Sequence, residues 1–200
     1  MRAFAILLPV CLLLAACTGG GKKAAEPTFY LLRSEARAPD GLSKPPVDIG
    51  INRVSVADYL GQQGIVVATN GGQVRPAHQH LWAESLDSSI RLFLQDAVSV
   101  ELGYPVSADV GRRRSWRYLV DIRIDEWHGS LDGEARILAT WVLLDVPRDK
   151  ILSRHRFEQT GALKADGYDA LVAAQSRALM HLSRDIAAGI ESISKEMPDQ

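Results

Sequence analysis

Hydrophobic and polar positions in this chain fall into blocks of two distinct periods. Residues 47–56 (VDIGINRVSV) alternate: Val47, Ile49 and Ile51 lie on one face, Asp48, Gly50 and Asn52 on the other, and Val54 and Val56 continue the apolar side. That alternation predicts a half-buried strand. Upstream, residues 28–33 (TFYLLR) read as a first strand, and residues 34–46, polar and with three prolines, as a loop. Residues 57–63, with Tyr59 and Leu60, read as a turn. Residues 65–68 (IVVA) are a further strand closed by Asn70-Gly71-Gly72, a turn signature. A returning partner is predicted over Gln73-Val74-Arg75, ended by Pro76.

The period then changes. Trp82, Leu86, Ile90, Phe93, Leu94, Ala97 and Val98 recur at three- and four-residue steps, with Glu84, Asp87, Arg91, Gln95 and Asp96 opposite. This predicts an amphipathic helix over 82–102, ended by Gly103. Period two returns over 116–127, where Trp116, Tyr118, Val120, Ile122 and Ile124 face one way and Arg117, Asp121, Arg123 and Asp125 the other. Residues 135–146 carry Ile137, Ala139, Trp141 and Leu143 on one face and Leu138, Val142 and Leu144 on the other, the pattern of a central strand covered on both sides. Residues 151–163 supply a third, more polar strand, and the short turns between these three predict an antiparallel meander. Last, Tyr168, Leu171, Val172, Gln175, Leu179, Leu182, Ile186, Ile190 and Ile193 hold helical spacing, with Asp166 as cap and several alanines favouring helix. The expected fold is α+β: a mostly antiparallel sheet with two amphipathic helices packed on one face.

The first residues obey neither pattern. Arg2 precedes residues 3–16, which carry no further charge and end in Leu14-Ala15-Ala16-Cys17. The run is shorter than the roughly 20 residues of a transmembrane helix, and its layout is that of a secretory signal peptide. Leu-Ala-Ala-Cys resembles a bacterial lipobox, which makes residues 1–16 the signal peptide and Cys17 the lipidated N-terminus of the mature chain. The other cysteine, Cys11, lies in the removed segment, so no disulfide or thiolate metal site is available. One acyl chain gives marginal membrane binding, at about 0.8 kcal/mol per buried methylene, whereas two or more anchor stably. Thr18 follows the cysteine in place of the Asp that often retains such proteins at the inner membrane, which favours the outer membrane, facing the periplasm. Residues 17–27 then form the lipidated cysteine and a Gly/Ala-rich flexible tether of at most ~35 Å, and residues 28–196 one domain.

Composition narrows the function classes. The formal net charge is −1, or −2 without Arg2, which is not the basic footprint of a nucleic-acid binder. His78-Gln79-His80 is the only local pair of metal ligands, and a polar loop leading into the helix is the simpler reading. There is no H-e-x-x-H zinc signature, G-x-S-x-G elbow or phosphate-binding G-x-x-x-x-G-K-[ST] loop, so neither a catalytic residue nor a metal or cofactor site is expected. Arg112-Arg113-Arg114 is the one dense basic cluster and reads as a solvated loop.

Several segments together carry a family resemblance: the lipobox, Phe29-Tyr30-Leu31-Leu32, Trp82-Ala83-Glu84-Ser85-Leu86, Trp141-Val142-Leu143-Leu144-Asp145, and residues 168–174 (YDALVAA) with Leu182-Ser183 and Ile186-Ala187. In this order they resemble the PqiC-type lipoproteins, the ABC-type transport auxiliary lipoprotein components. Residues 57–66 resemble the family's Pro-x-Tyr-Leu…Ile-Val stretch but have Ala57 where proline is usual. The resemblance implies a non-enzymatic accessory subunit that docks the periplasmic part of a lipid transport system at the outer membrane. Its implied partners are a periplasmic MCE (mammalian cell entry) domain protein and ABC transporter subunits, with a homo-oligomer also allowed. Tyr59, Leu60 and Trp127 are the candidate partner contacts. The alternative is a periplasmic carrier holding lipid in a groove between helices and sheet.

Overall fold

The computed structural model describes residues 26–35, 45, 48–109, 111, 115–131 and 133–196. Cys17, most of the tether, most of the loop over 34–46 and Arg112–Arg114 lie outside the described residues. The elements run β1 (Thr28–Tyr30), β2 (Ile49–Val56), β3 (Gly64–Thr69), β4 (Gln73–Trp82), α1 (Leu86–Leu102), β5 (Tyr118–Gly129), β6 (Glu134–Asp145), β7 (Lys150–Ala162) and α2 (Tyr168–Glu196). The architecture is the expected α+β one. The sheet is mixed, in the order β1-β4-β3-β5-β6-β7, with β2 pairing β5. β5, β6 and β7 form the antiparallel meander, whereas β2 runs parallel to β5 and β1 parallel to β4. Such parallel pairs need long crossovers, and α1 lies within the one joining β2 to β5.

Two parity changes in the sequence become bulges. In β2, Ile51 pairs with Val120 and Arg53 with Asp121, so Asn52 is the extra residue. This lets Ile51 and Val54 face the same core despite their odd spacing, at 0% and 7% exposure. In β5, Ile124 pairs with Ala139 and Glu126 with Leu138, so Asp125 is extra and Trp127 returns to the core face.

Both helices lie on one face of the sheet. Register places Val54, Ile122, Trp141 and His155 in one row across that face, and Val56, Ile124, Ala139 and Phe157 in the next. Ile90, Phe93, Leu94, Ala97 and Val98 of α1 and Leu171, Leu179, Leu182, Ile186 and Ile190 of α2 close over it. Each such Leu, Ile or Phe contributes roughly 1.5–3 kcal/mol on burial. The helix–sheet interface is therefore filled by side chains. α1 stops at Gly103, whose φ of 73° is left-handed and whose N–H donates to Ser99 O at 3.0 Å.

The structure departs from five local expectations. Trp82 ends β4 and does not start the helix, because residues 83–85 break away before Leu86. β4 continues through Pro76 to Trp82; β1 covers only His80–Trp82, so Pro76 sits where the outer edge has no ladder to lose. His78-Gln79-His80 is accordingly strand, not loop. Gly167 immediately precedes α2 and accepts its first bond from Leu171 N–H at 3.1 Å, a position assigned to Asp166 from sequence. β6 is central in the sheet, but its second face carries no helix: Val142 and Leu144 are half-buried beneath neighbouring side chains.

Candidate functional site

The candidate contact residues occupy the junction of β2 and β5. Ala57 N–H donates to Ile124 O at 2.9 Å and extends the β2–β5 ladder by one bond. Its φ of −59° is the value a proline ring imposes, so Ala57 keeps the backbone of the usual proline and adds a bond that proline lacks. A 3-10 turn, Asp58–Leu60, follows and splits its side chains. Leu60 turns inward and is 2% exposed, and Trp127 on the core side of the bulge is 1% exposed. Neither has surface to offer a partner, and both belong to the core, contrary to the sequence expectation. Tyr59 retains surface. Its hydroxyl lies 3.0 Å from His128 Nδ1 and donates to Asp125 O at 3.3 Å. Burial raises the Tyr59 hydroxyl above its ordinary pKa. Burial, assisted by Arg136 and opposed by Glu126, holds His128 below its own.

Trp127 stacks on Trp82 with centroids 5.3 Å apart and planes 15° off parallel. Gln175 of α2, 1% exposed, donates from Nε2 to Trp127 O at 3.3 Å. The pair thus locks the long helix to the bulged end of β5.

Histidines serve packing. His80 stacks on Tyr168 at 3.9 Å, and its Nδ1 lies 2.9 Å from the Tyr30 hydroxyl. That hydroxyl donates to Asp169 Oδ1 at 2.8 Å; burial first, then this carboxylate, raises Tyr30 to about 12. His155 stacks under Trp141 at 4.0 Å. Among the described residues, no group of three or more His, Cys, Asp or Glu side chains is placed to hold a metal ion. No helix among them is long and apolar enough to cross a membrane.

The sheet face away from the helices carries a charged array that sequence reading left unused. Its rows are Arg53, Asp121, Val142, Arg154 and then Ser55, Arg123, Thr140, Arg156. Arg136 bridges Glu126 at 2.6 Å and Glu158 at 2.8 Å, Arg156 meets Glu158 at 3.3 Å, and Arg123 meets Asp125 at 2.6 Å. The signal was present in the alternation of β2, β5 and β7, but which polar positions neighbour one another depends on the strand order.

The model of the ABC-type transport auxiliary lipoprotein component family matches residues 30–187. The chain belongs to that family. It is 27% identical over 150 residues to the intermembrane transport lipoprotein PqiC of Escherichia coli K12, covering 74% of this chain and 75% of that protein. The PqiC of Shigella flexneri matches to the same extent. Among solved structures, an uncharacterized protein superposes with a TM-score of 0.70 at 24% identity, covering 83% of this chain and 99% of that one. A Xanthomonas campestris protein gives 0.65 at 15% identity, covering 80% and 92%. Those two likenesses bear on the fold. The family assigns the chain as a lipoprotein auxiliary component of a transport system in the bacterial envelope.

Proposed function

We propose that this protein is an outer-membrane-anchored periplasmic lipoprotein that docks an MCE-type ABC lipid transport system, without catalysis of its own. In this reading residues 1–16 are the signal peptide, Cys17 carries acyl chains such as palmitate, residues 17–27 are the tether and residues 28–196 the docking domain. The observation that carries it is the family match from Tyr30 to Ala187, which takes in nearly the whole of the described fold. The similarity to proteins named for intermembrane transport supports a role between the two membranes, and the family's ABC-type transport description supports ABC subunits as partners; lipid as cargo and an MCE-domain protein as a further partner are part of the proposal. The filled helix–sheet interface favours docking over carriage of lipid between those layers. The tether's reach of at most ~35 Å requires partners to come to the anchored membrane.

Cys17→Ser tests the anchor. The variant is expected to leave the membrane fraction and to fail to restore envelope integrity in a deletion strain. Full restoration by a soluble periplasmic Cys17→Ser chain would overturn the docking reading.

A further inference from the structure

On the open sheet face, Arg53, Ser55, Asp121, Arg123, Thr140, Val142 and Arg154 surround a depression of about 270 Å³. Arg53 comes from β2, Arg123 from β5 and Arg154 from β7, so three strands present guanidinium groups to one concavity. The residues occupy two adjacent rows, with neighbouring strands ~4.8 Å apart and same-face positions ~6.8 Å apart along a strand. Flexible guanidinium arms can converge over the half-buried Val142 from those positions. Arg53 and Arg154 make no ion pair with any described residue, whereas Arg123, Arg136 and Arg156 each hold a carboxylate. Asp121, the carboxylate within the depression, accepts from Asn52 Nδ2 at 2.6 Å and from Arg53 N–H at 3.1 Å. Both bonds fall on Oδ1 and tie that oxygen to β2, and neither the Arg53 nor the Arg154 guanidinium forms an ion pair with this carboxylate.

We infer that this depression binds a phosphate-bearing anion, either the headgroup of an anionic lipid or a soluble phosphate ester. Guanidinium groups offer planar, bidentate donors matched to phosphate oxygens, and hydroxyls such as Ser55 and Thr140 complete such a cradle. A single phosphodiester charge brings the two uncommitted arginines and Asp121 to a net charge of zero. Arg53, Ser55 and Asp121 also line an adjoining groove of about 820 Å³ beside Asp87, Ser88 and Arg91 of α1, which leaves room for the group bearing the phosphate. The inference stands on this face alone and does not depend on which transporter the protein serves.

The test uses the full chain with Cys17→Ser, which removes the anchor's own membrane affinity. It is sedimented with phosphatidylcholine vesicles with and without phosphatidylglycerol, and titrated with glycerol phosphate. Binding to at least one phosphate ligand is expected. Arg53→Gln with Arg154→Gln weakens it by about tenfold or more, and Arg53→Lys with Arg154→Lys restores part of it. Arg75→Gln with Arg184→Gln, an equal change in charge placed elsewhere, leaves binding nearly unchanged. Vesicle binding with no measurable affinity for free glycerol phosphate assigns the ligand as a lipid headgroup; glycerol phosphate binding without vesicle binding assigns a soluble ester; binding of both with mutual displacement assigns the phosphate group they share. Absence of binding to both ligands overturns the inference. So does unchanged binding in the Gln pair, or an equal loss in the charge control. Thermal melts identical to the parent chain confirm that these exposed substitutions leave the fold intact.

Discussion

A Cβ placed on Gly189 would lie 2.3 Å from Cη2 of Trp141. The fully buried indole of β6 thus sits directly against the backbone of α2 where that helix has no side chain. Its Nε1 donates to Asp185 Oδ2 at 2.8 Å, one turn earlier on α2, so the ring is oriented as well as packed. The helix keeps its least helix-favouring residue there because closeness to the sheet outweighs propensity.

Gly189→Ala should therefore destabilise the protein. Alanine gains about 1 kcal/mol of helix propensity, but the overlap costs about 1–3 kcal/mol. The net is a loss of up to about 2 kcal/mol, read from equilibrium unfolding in urea as a lowered midpoint. A gain in stability would show that Trp141 and α2 are not in such close contact.

Asp145, at 0% side-chain exposure, holds Arg117 Nη2 and Arg148 Nη1 at 3.0 Å each where β6 turns into β7. Removing the acid leaves partly buried cations without it, so Asp145→Ala should lose about 2–4 kcal/mol, and Asp145→Asn less. Equilibrium unfolding in urea measures both.

Leu60 and Tyr59 are adjacent but should behave oppositely. Leu60→Ala opens a core cavity and should cost about 2–5 kcal/mol. Tyr59→Phe keeps the ring and removes one hydroxyl, so its cost should stay near 1 kcal/mol. If the docking surface includes Tyr59, its substitution will weaken partner capture while lowering the melting temperature far less than Leu60→Ala does.

His128 gives a pH dependence of definite sign. Burial places its folded pKa below the ordinary value, with Tyr59, Glu126 and Arg136 as its charged or titratable neighbours. Below about pH 6.5, the unfolded histidine binds a proton that the folded one resists. Its contribution is intact above that pH and is lost as pH falls through the unfolded pKa toward the folded one. His128→Gln should flatten this part of the stability curve between about pH 7 and pH 5, read from melting temperatures. A parallel curve would show that His128 contributes no such linkage.

The parts of the fold legible in the sequence were those with an unbroken period. Alternation from Tyr118 to Ile124 and the stripe from Leu171 to Ile193 produced β5 and α2 directly. Val54 and Val56 read as a plain continuation of the apolar side, and only pairing with β5 shows that Asn52 is a bulge that brings them there. Trp82 lies four residues before Leu86, a helical spacing that a strand followed by a bend mimics, so the pattern alone extends α1 back to it. Pro76 suggested a strand end because a proline cannot join a ladder, and nothing local reveals that this edge is uncovered. The candidate contacts were less legible. Trp127 and Leu60 looked like surface aromatics and aliphatics beside a turn until the Asp125 bulge and the 3-10 turn directed them inward. The arginine array depended on β2 crossing to pair with β5, a relationship between segments far apart in the chain.

Crosslinking followed by affinity capture of the anchored, tagged protein tests docking most directly. The account predicts recovery of an MCE-domain protein together with ABC permease subunits, and loss of that recovery in the Cys17→Ser chain. Capture of the intact lipoprotein without any MCE or permease subunit, under conditions where those subunits are expressed and crosslinked to one another, would contradict it.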